Sequence, residues 1–543
     1  MLVIGGGLAG LCAALRAREC GAGVIITAKG NVGRSGNTIM ARNSMAAVME
    51  RLHSDEPVKA HIEDTMDGGA QLNDRELATL LAGEAGAAIR WLAERGVPFL
   101  RDNAGLVVKG SPGHSENRII SVDWSALGQS RTIGMAMTLP LLDQVKGSGV
   151  QIVDNLLITG LVVNQGRVTG AYGFHRGRPR LMVIGCRAVV LACGGAGRLY
   201  PVNTNTGDVT GDSYALAHLA GATLRDMEFI QFHPLMTLEP PRMVLSTAPF
   251  IDGAVLRNRE GEEFMPRYSS QGCLATRDVM ARAIMAELEM GRGTDRDGVY
   301  MDFSSVSADM MIHRYADILA YLKGGFMLEV APAAHFTMGG VVIDGECRTT
   351  VPGLFGCGEA AGGVHGANRL AGNALTEAAV FGLQAGIQAA GEMLTAAEPA
   401  LDETQVNRIA YEALTKPYLH GVGGAGSATV SVWEVNAKAG LMPKIDVAAE
   451  AVDAGGAMET EALVRELREL MGRHVGLVRS RAGLQEIRSQ LVELKRRLDA
   501  VVINNYRDLL GYHRASLMLT TAGLIADAAL VRKESLGAHF RLD

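Results

Sequence analysis

Gly5, Gly7 and Gly10 stand directly behind the apolar run Leu2-Val3-Ile4 and spell Gly-x-Gly-x-x-Gly. The chemistry that this spacing serves is the cradling of a dinucleotide pyrophosphate. Gly5 permits the tight turn, Gly7 lets the backbone approach the phosphates, and Gly10 lets the following helix pack close to the strand. The start of that helix adds amide N–H groups and a positive dipole end. A second glycine run, Gly194-Gly195-Ala196-Gly197, follows the buried-strand pattern Ala188–Cys193, and Thr210-Gly211-Asp212 comes soon after, as if the chain returned to the same ligand. The small, polar loop Gly30–Thr38 reads either as surface or as a wrap around that ligand. One position departs from the simple dinucleotide pattern. The second strand, Gly23–Thr27, runs into Ala28-Lys29 where an acidic ribose partner is expected, so the pattern leaves the ribose contact unassigned.

These groups need strands that end at the ligand and helices that begin there. Leu11, Ala14 and Leu15 recur at helical spacing after the first glycine turn, and helices are expected over Val58–Gly68, Asp74–Glu94 and Met135–Val145. Leu157–Val163, Gly170–His175 and Leu181–Gly185 read as a small meander. Residues 235–345 break the alternation of strand and helix, as an inserted cap would. Val351–Cys357 resumes a buried strand, and a helix is expected over Ala374–Leu394. The periodicity fades near Thr395–Thr404, and the rest reads as helical: Glu459–Met471, Gly483–Ala500 and Tyr506–Val531. The expected division is 1–234 and 346–398 for the dinucleotide domain, 235–345 for the cap and 399–543 for a C-terminal helical domain.

At 543 residues the chain is too long for one core. Fifty-two basic against 58 acidic residues leave a net charge of −6, too little positive charge for a nucleic-acid surface. The seven cysteines show no Cys-x-x-Cys spacing, so neither zinc nor an iron–sulfur cluster is expected, and the thiols suit a reducing compartment. With no secretory leader and no uninterrupted apolar stretch of about 18 residues, a cytoplasmic protein without direct membrane insertion is expected.

Further motifs follow in order: Gln231-Phe232-His233-Pro234, Arg277-Asp278-Val279-Met280-Ala281-Arg282-Ala283, His335-Phe336-Thr337-Met338-Gly339-Gly340, and Gly358-Glu359 through His365-Gly366-Ala367-Asn368-Arg369 to Asn373-Ala374-Leu375. Taken singly, His-Pro is a turn, Arg277 and Arg282 can pair with nearby acids, and His335 can satisfy a buried carbonyl. In order and spacing the set resembles the flavoprotein subunit of the succinate dehydrogenase and fumarate reductase family, which also contains L-aspartate oxidase. The tail shares the likeness: Arg532–Arg541 is similar to the family's closing Glu-Ser-Arg-Gly-Ala-His, with Leu536 in place of its arginine.

The resemblance implies an α/β fold: a Rossmann-like FAD-binding domain with an inserted α+β capping domain and a C-terminal helical domain. It makes the ligand FAD, held by Gly5, Gly7, Gly10, Lys29, Ser35, Thr38, Ala192, Gly194, Asp212, Glu359, Asn373 and Leu375. Family members tend to carry lysine at the end of the second strand, which accounts for Lys29. Where membrane-bound members attach FAD to the histidine of Arg-Ser-His-Thr, this chain reads Arg34-Ser35-Gly36-Asn37-Thr38, which implies non-covalent FAD. The family's Ala-Gln-Gly-Gly-Ile is replaced by Ala41-Arg42-Asn43-Ser44-Met45.

Carried over position by position, His233, His335 and Arg369 become carboxylate-binding residues and Arg277 the proton donor. The family's Thr-Glu, arginine and Glu relay aligns with Ser246-Thr247, Phe250 and Asp252. A hydroxyl survives at Ser246, the acid is lost at Thr247, the cation is lost at Phe250, and a shorter carboxylate remains at Asp252. Either Asp252 reloads Arg277 through water, or the substrate is not the ordinary C4 dicarboxylate. The expected activity is hydride transfer between FAD and a dicarboxylate-type unsaturated acid. Electrons would be exchanged with a separate iron–sulfur subunit, through which any membrane association would be made. The alternatives are an L-aspartate oxidase-like enzyme and a non-catalytic electron-transfer flavoprotein.

Overall fold

The structure, a computed structural model, describes residues 1–41, 44–49, 56–103, 105–123, 125, 132–240, 242–319, 321–322, 325–396, 403–415, 427–436, 440–450 and 456–543. Arg42 and Asn43 of the altered flavin-edge motif, and most of the 395–404 boundary, lie outside the described residues.

Short strands rich in valine, isoleucine and leucine build a five-stranded parallel sheet in the order Leu354–Gly356, Val189–Leu191, Leu2–Ile4, Ile25–Thr27 and Gln151–Val153, the first four buried and the last, at the edge, half-buried. Such strands lack polar alternation because both faces are covered, one by the helices Leu8–Glu19 and Asn373–Thr395 and the other by the antiparallel strands Leu156–Asn164 and Arg167–His175. The chain runs outward from Leu2–Ile4 to one side, then returns to place Val189–Leu191 on the other side. The strand order therefore reverses at Leu2–Ile4, and a crevice opens at the ends of these two neighbouring strands. The two glycine runs follow these two strands, so both face the same crevice.

The glycines at the crevice are set by contact rather than by flexibility. Gly5 has φ +125°, and a Cβ there would overlap the Ala192 carbonyl; a Cβ on Gly10 would overlap the Gly5 carbonyl oxygen. Behind them the helices Leu8–Glu19 and Asn373–Thr395 lie against each other through small residues. A Cβ on Gly382 would stand 2.6 Å from Ala9 O, and one on Gly386 2.6 Å from Ala13 O.

The meander forms as expected from Leu156–Asn164, Arg167–His175 and Arg180–Gly185, all antiparallel. It is extended by a hairpin, Ser427–Asn436 and Gly440–Glu450, whose first strand pairs parallel to Arg180–Gly185. This corrects the reading of everything beyond residue 404 as helical. The alternation in Thr429-Val430-Ser431-Val432 was the period-2 signal of a strand.

A separate antiparallel sheet orders Ile230–Thr237, Met327–Thr337, Val299–Asp302 and Val255–Arg257, with the helix Arg277–Glu289 packed on the first two strands. Its first two strands pair Gln231 with Phe336 but Phe232 with Ala334, so His335 is the extra residue of a bulge. A bulge re-aims its side chain and commonly sits beside a functional site.

The C-terminal helices Gly456–His474, Arg481–Asp499 and Tyr506–Val531 pack against one another. The last is long and apolar enough to cross a membrane by length and composition alone, although Arg507, Asp508, Arg514 and Asp527 leave it no uninterrupted apolar run of about 18 residues. Its inner face, including Leu509, Met518, Ala522 and Ile525, is buried, Asp508 is fully enclosed, and Thr521 Oγ1 donates to Gly211 O at 2.9 Å. These contacts make it a core helix that braces the loop before Asp212.

Burial also predicts acid sensitivity. Desolvation draws His61 and His513 down to about 4 and His539 to about 3, from 6.5. Below 6.5 the unfolded chain binds protons that the folded chain refuses, so stability is full above that value and is lost as pH falls toward the folded values. By about pH 5, His61 and His513 together should remove about 4 kcal/mol, read as a falling melting temperature.

Candidate active site

One cavity of about 1360 Å³ lies between the crevice of the parallel sheet and the antiparallel sheet. It brings together Gly5, Gly7, Lys29, Ser35, Thr38, Ala192, Gly194, Asp212, Glu359 and Leu375. His233, Ser246, Arg277, His335 and Arg369 line the same space. Three expected site residues stay outside the lining. Gly10 acts by its packing against Gly5. Asn373 is fully buried, with Oδ1 2.9 Å from His61 Nε2 and Nδ2 donating to Thr65 Oγ1 at 3.1 Å. Asp252 turns its carboxylate to Arg314, at 2.8 Å, and to the Tyr315 hydroxyl, not to Arg277.

At the crevice, Gly7, Leu8 and Ala9 of the first helical turn face the cavity, and the Thr38 hydroxyl accepts from Leu8 N at 3.1 Å. Lys29 Nζ donates to Asp212 Oδ2 at 2.8 Å and Thr210 Oγ1 at 2.5 Å, tying the second strand to the start of the helix Asp212–Leu219. Glu359 accepts from Thr337 N at 3.0 Å; burial nevertheless pushes its carboxyl up to about 7.

At the far side the groups are cationic or imidazole. The Arg369 guanidinium lies 4.6 Å over the Phe336 ring, donates to Gln231 Oε1 at 2.8 Å and to Leu370 O at 3.2 Å, and leaves a buried Nε without a partner among the described residues. Burial, with Arg277 beside it, draws it down to about 9. Arg277 is the first residue of its helix; its guanidinium has no hydrogen-bond or ion-pair partner among the described residues, and burial lowers it to about 10. The neighbouring Arg282 does pair, with Asp278 at 3.0 Å. The rings of His233 and His335 meet edge to face at 5.1 Å. Burial, then Arg369 and Arg277, hold His335 well below 6.5, so it is neutral, with Nδ1 2.8 Å from Thr204 Oγ1. Leu235 N donates to His233 Nδ1 at 3.2 Å. Neither arginine at this end of the cavity has a carboxylate ion-pair partner among the described residues, an arrangement whose chemistry suits an anion.

Sequence reasoning missed several members. Thr204 orients His335, Gln231 holds Arg369, and Asn37 links Asn205 at 2.6 Å to Glu359 at 3.5 Å. Gln231 lay inside a quoted motif; Thr204 and Asn205 sit in a polar loop with no local pattern to mark them.

Comparison with known proteins agrees with this geometry. Residues 1–375 match the family model described as FAD binding domain, and 464–543 match fumarate reductase flavoprotein C-term. The chain belongs to the succinate dehydrogenase/fumarate reductase flavoprotein family. It is 35% identical to one of the subunits of the fumarate reductase (CoM/CoB) of Methanothermobacter marburgensis, covering 100% of this chain and 94% of that protein. It is 32% identical to an L-aspartate oxidase of Caulobacter vibrioides, over 100% and 93%. The FrdA chain of E. coli quinol fumarate reductase superposes with a TM-score of 0.83 at 28% identity, covering 100% of this chain and 90% of that one.

As a flavoprotein oxidoreductase of this family, the chain binds FAD. The site suits that group in shape and chemistry. Glycines admit backbone at the pyrophosphate end, a helix start faces the cavity, and the volume exceeds the roughly 300–1,000 Å³ of ordinary small-molecule pockets.

Proposed function

We propose that this flavoprotein exchanges a hydride equivalent between FAD and an unsaturated or saturated dicarboxylate-type acid, and exchanges electrons with a separate iron–sulfur subunit. The observation that carries this reading is one cavity holding both the glycine cradle and the cluster His233, Arg277, His335 and Arg369. FAD, when bound, supplies the two-electron chemistry at carbon. It is held without a covalent bond, since Gly36 and Asn37 offer no histidine at the attachment position. Gly5, Gly7, Lys29, Ser35, Thr38, Ala192, Gly194, Asp212, Glu359 and Leu375 hold it, with Gly10 and Asn373 supporting from behind. The segment 235–345 acts as the cap over the substrate.

Arg369 and neutral His335 grip one carboxylate of the acid, and His233 and Ser246 receive the other. Fixing both ends aligns the reacting carbon pair and draws charge toward a carboxylate. Arg277 holds a proton at its guanidinium, and its descent to about 10 makes it a less reluctant acid for the carbon beside that carboxylate. Asp252 serves by fixing Arg314 and Tyr315 at the cavity's rim rather than by direct contact with Arg277. The reading implies a cytoplasmic enzyme, or one peripheral to a membrane through its partner.

Full-length likeness to L-aspartate oxidases favours a second reading, in which an amino acid is oxidised and oxygen or fumarate takes the electrons. One experiment separates the two. The purified flavoprotein is reduced anaerobically and offered fumarate and a panel of unsaturated acids. Reoxidation by fumarate or another dicarboxylate-type acid, with no peroxide formed from L-aspartate in air, is the expected result. Peroxide from L-aspartate would select the second reading, and inertness to every acid and to aspartate would sink both.

A further inference from the structure

The chain's last residues reach the back of the anion grip. The Ala538 amide donates to Ala367 O at 3.0 Å, two residues before Arg369. Gly537, at φ +50°, lies so close that a Cβ would overlap the Ala367 carbonyl. The Gly537 carbonyl accepts from Arg282 Nη1 at 2.9 Å, and the Arg282 guanidinium also rests 5.4 Å over the Phe540 ring. Arg282 pairs with Asp278 at 3.0 Å, and Asp278 accepts from Asn368 Nδ2 at 3.4 Å. Asp278 and Asn368 are the chain neighbours of Arg277 and Arg369. One short piece of tail is thus bonded to both arginine-bearing segments, which are far apart in sequence.

The tail is itself immobilised. His539 is fully buried with Nδ1 2.7 Å from Arg479 Nη1, Arg479 N donates to Phe540 O at 3.0 Å, and Leu542 N returns a bond to Arg479 O at 2.9 Å. Ala538 packs in one apolar cluster with Phe229, Phe336, Met338 and Ala367, and Phe336 is the ring under the Arg369 guanidinium.

We propose that the tail Leu536–Phe540, with Arg282 as its link, is a positioning element that sets the spacing of Arg277 and Arg369 for an acid bound between them. The physical reason is that two unneutralised guanidinium groups repel, and only rigid backing holds them at the separation a carboxylate-bearing ligand requires. None of these tail residues touches the cavity, so the effect travels through Ala367, Asn368 and Asp278. The inference rests on the reading of Arg277 and Arg369 as the grips of the acid.

The test uses the full-length, FAD-loaded protein and malonate, a saturated dicarboxylate whose binding is read from the flavin absorbance. Arg282→Gln is expected to raise the malonate Kd about tenfold with flavin content and melting temperature kept, Gly537→Ala to raise it about as much while lowering the melting temperature, and Arg282→Lys to restore most of the affinity. Should Gly537→Ala fail to fold, Arg282→Gln alone decides. Loss of flavin or of melting temperature with an unchanged malonate Kd per bound flavin would overturn the proposal in favour of a structural role. Arg369→Lys is the control. If it weakens malonate while Arg282→Gln does not, the tail's role alone falls; if it leaves malonate binding untouched, the acid-grip reading falls and takes the tail's role with it.

Discussion

Arg277→Ala is expected to lower turnover of the acid about a thousandfold while leaving FAD bound. The side chain lines the cavity, burial has already drawn it down to about 10, and no described residue competes for its N–H groups. Its guanidinium is therefore available to the ligand for both charge and proton. The cradle at Gly5–Gly10 belongs to other elements, so flavin absorbance should be retained. Arg277→Lys should recover little, because an ammonium lacks the planar fork and sits on a different stem. Single-turnover reoxidation of the reduced flavin by the acid measures the effect. A rate within tenfold of the parent would remove Arg277 from the chemistry.

Gly10→Ala should have the opposite signature: loss of FAD and of stability together. The added methyl group meets the backbone oxygen of Gly5, which no side-chain rotation can move aside. Relief requires the helix Leu8–Glu19 to lift from the sheet, and that helix is also locked against Gly382 and Gly386. Overpacking of this kind costs about 1–3 kcal/mol or more, and the displaced helix start no longer meets the phosphates. The flavin-to-protein absorbance ratio of the purified variant and its melting temperature are the measurements. A fully loaded variant with parental stability would show that the close approach at Gly10 does not shape the cradle.

The two substitutions mark two kinds of information. The cradle is local. The spacing of Gly5, Gly7 and Gly10, the apolar strand before them and the helical recurrence after them lie within one short segment, so steric rules act between near neighbours in the chain. The long helices were legible for the same reason: Asp74, which accepts from Glu76 N and Leu77 N, starts one of them beside its own apolar stripe. The family resemblance accounted for Lys29 at the end of the second strand, but its ion-pair partner, Asp212, 183 residues away, is set by the fold.

The anion grip is the other kind. His233, Arg277, His335 and Arg369 come from two strands, a helix start and a loop, and their convergence depends on sheet register and a bulge that skips His335. Asp252 shows the limit most sharply. Its chemistry and alignment nominated it as a relay acid, but a carboxylate goes to whichever cation the packing offers, and here that is Arg314. The strands Ser427–Asn436 and Gly440–Glu450 carry a local period-2 signal, but their joining to Arg180–Gly185, far back in the chain, is visible only in the tertiary structure. The dinucleotide cradle, the family and the residue types available for acid chemistry could be read from the order of amino acids, because they follow from neighbours and ordered motifs. Which charges stand unneutralised around one cavity could be read only in three dimensions, because burial and partnership are set by contacts between segments that lie far apart along the chain.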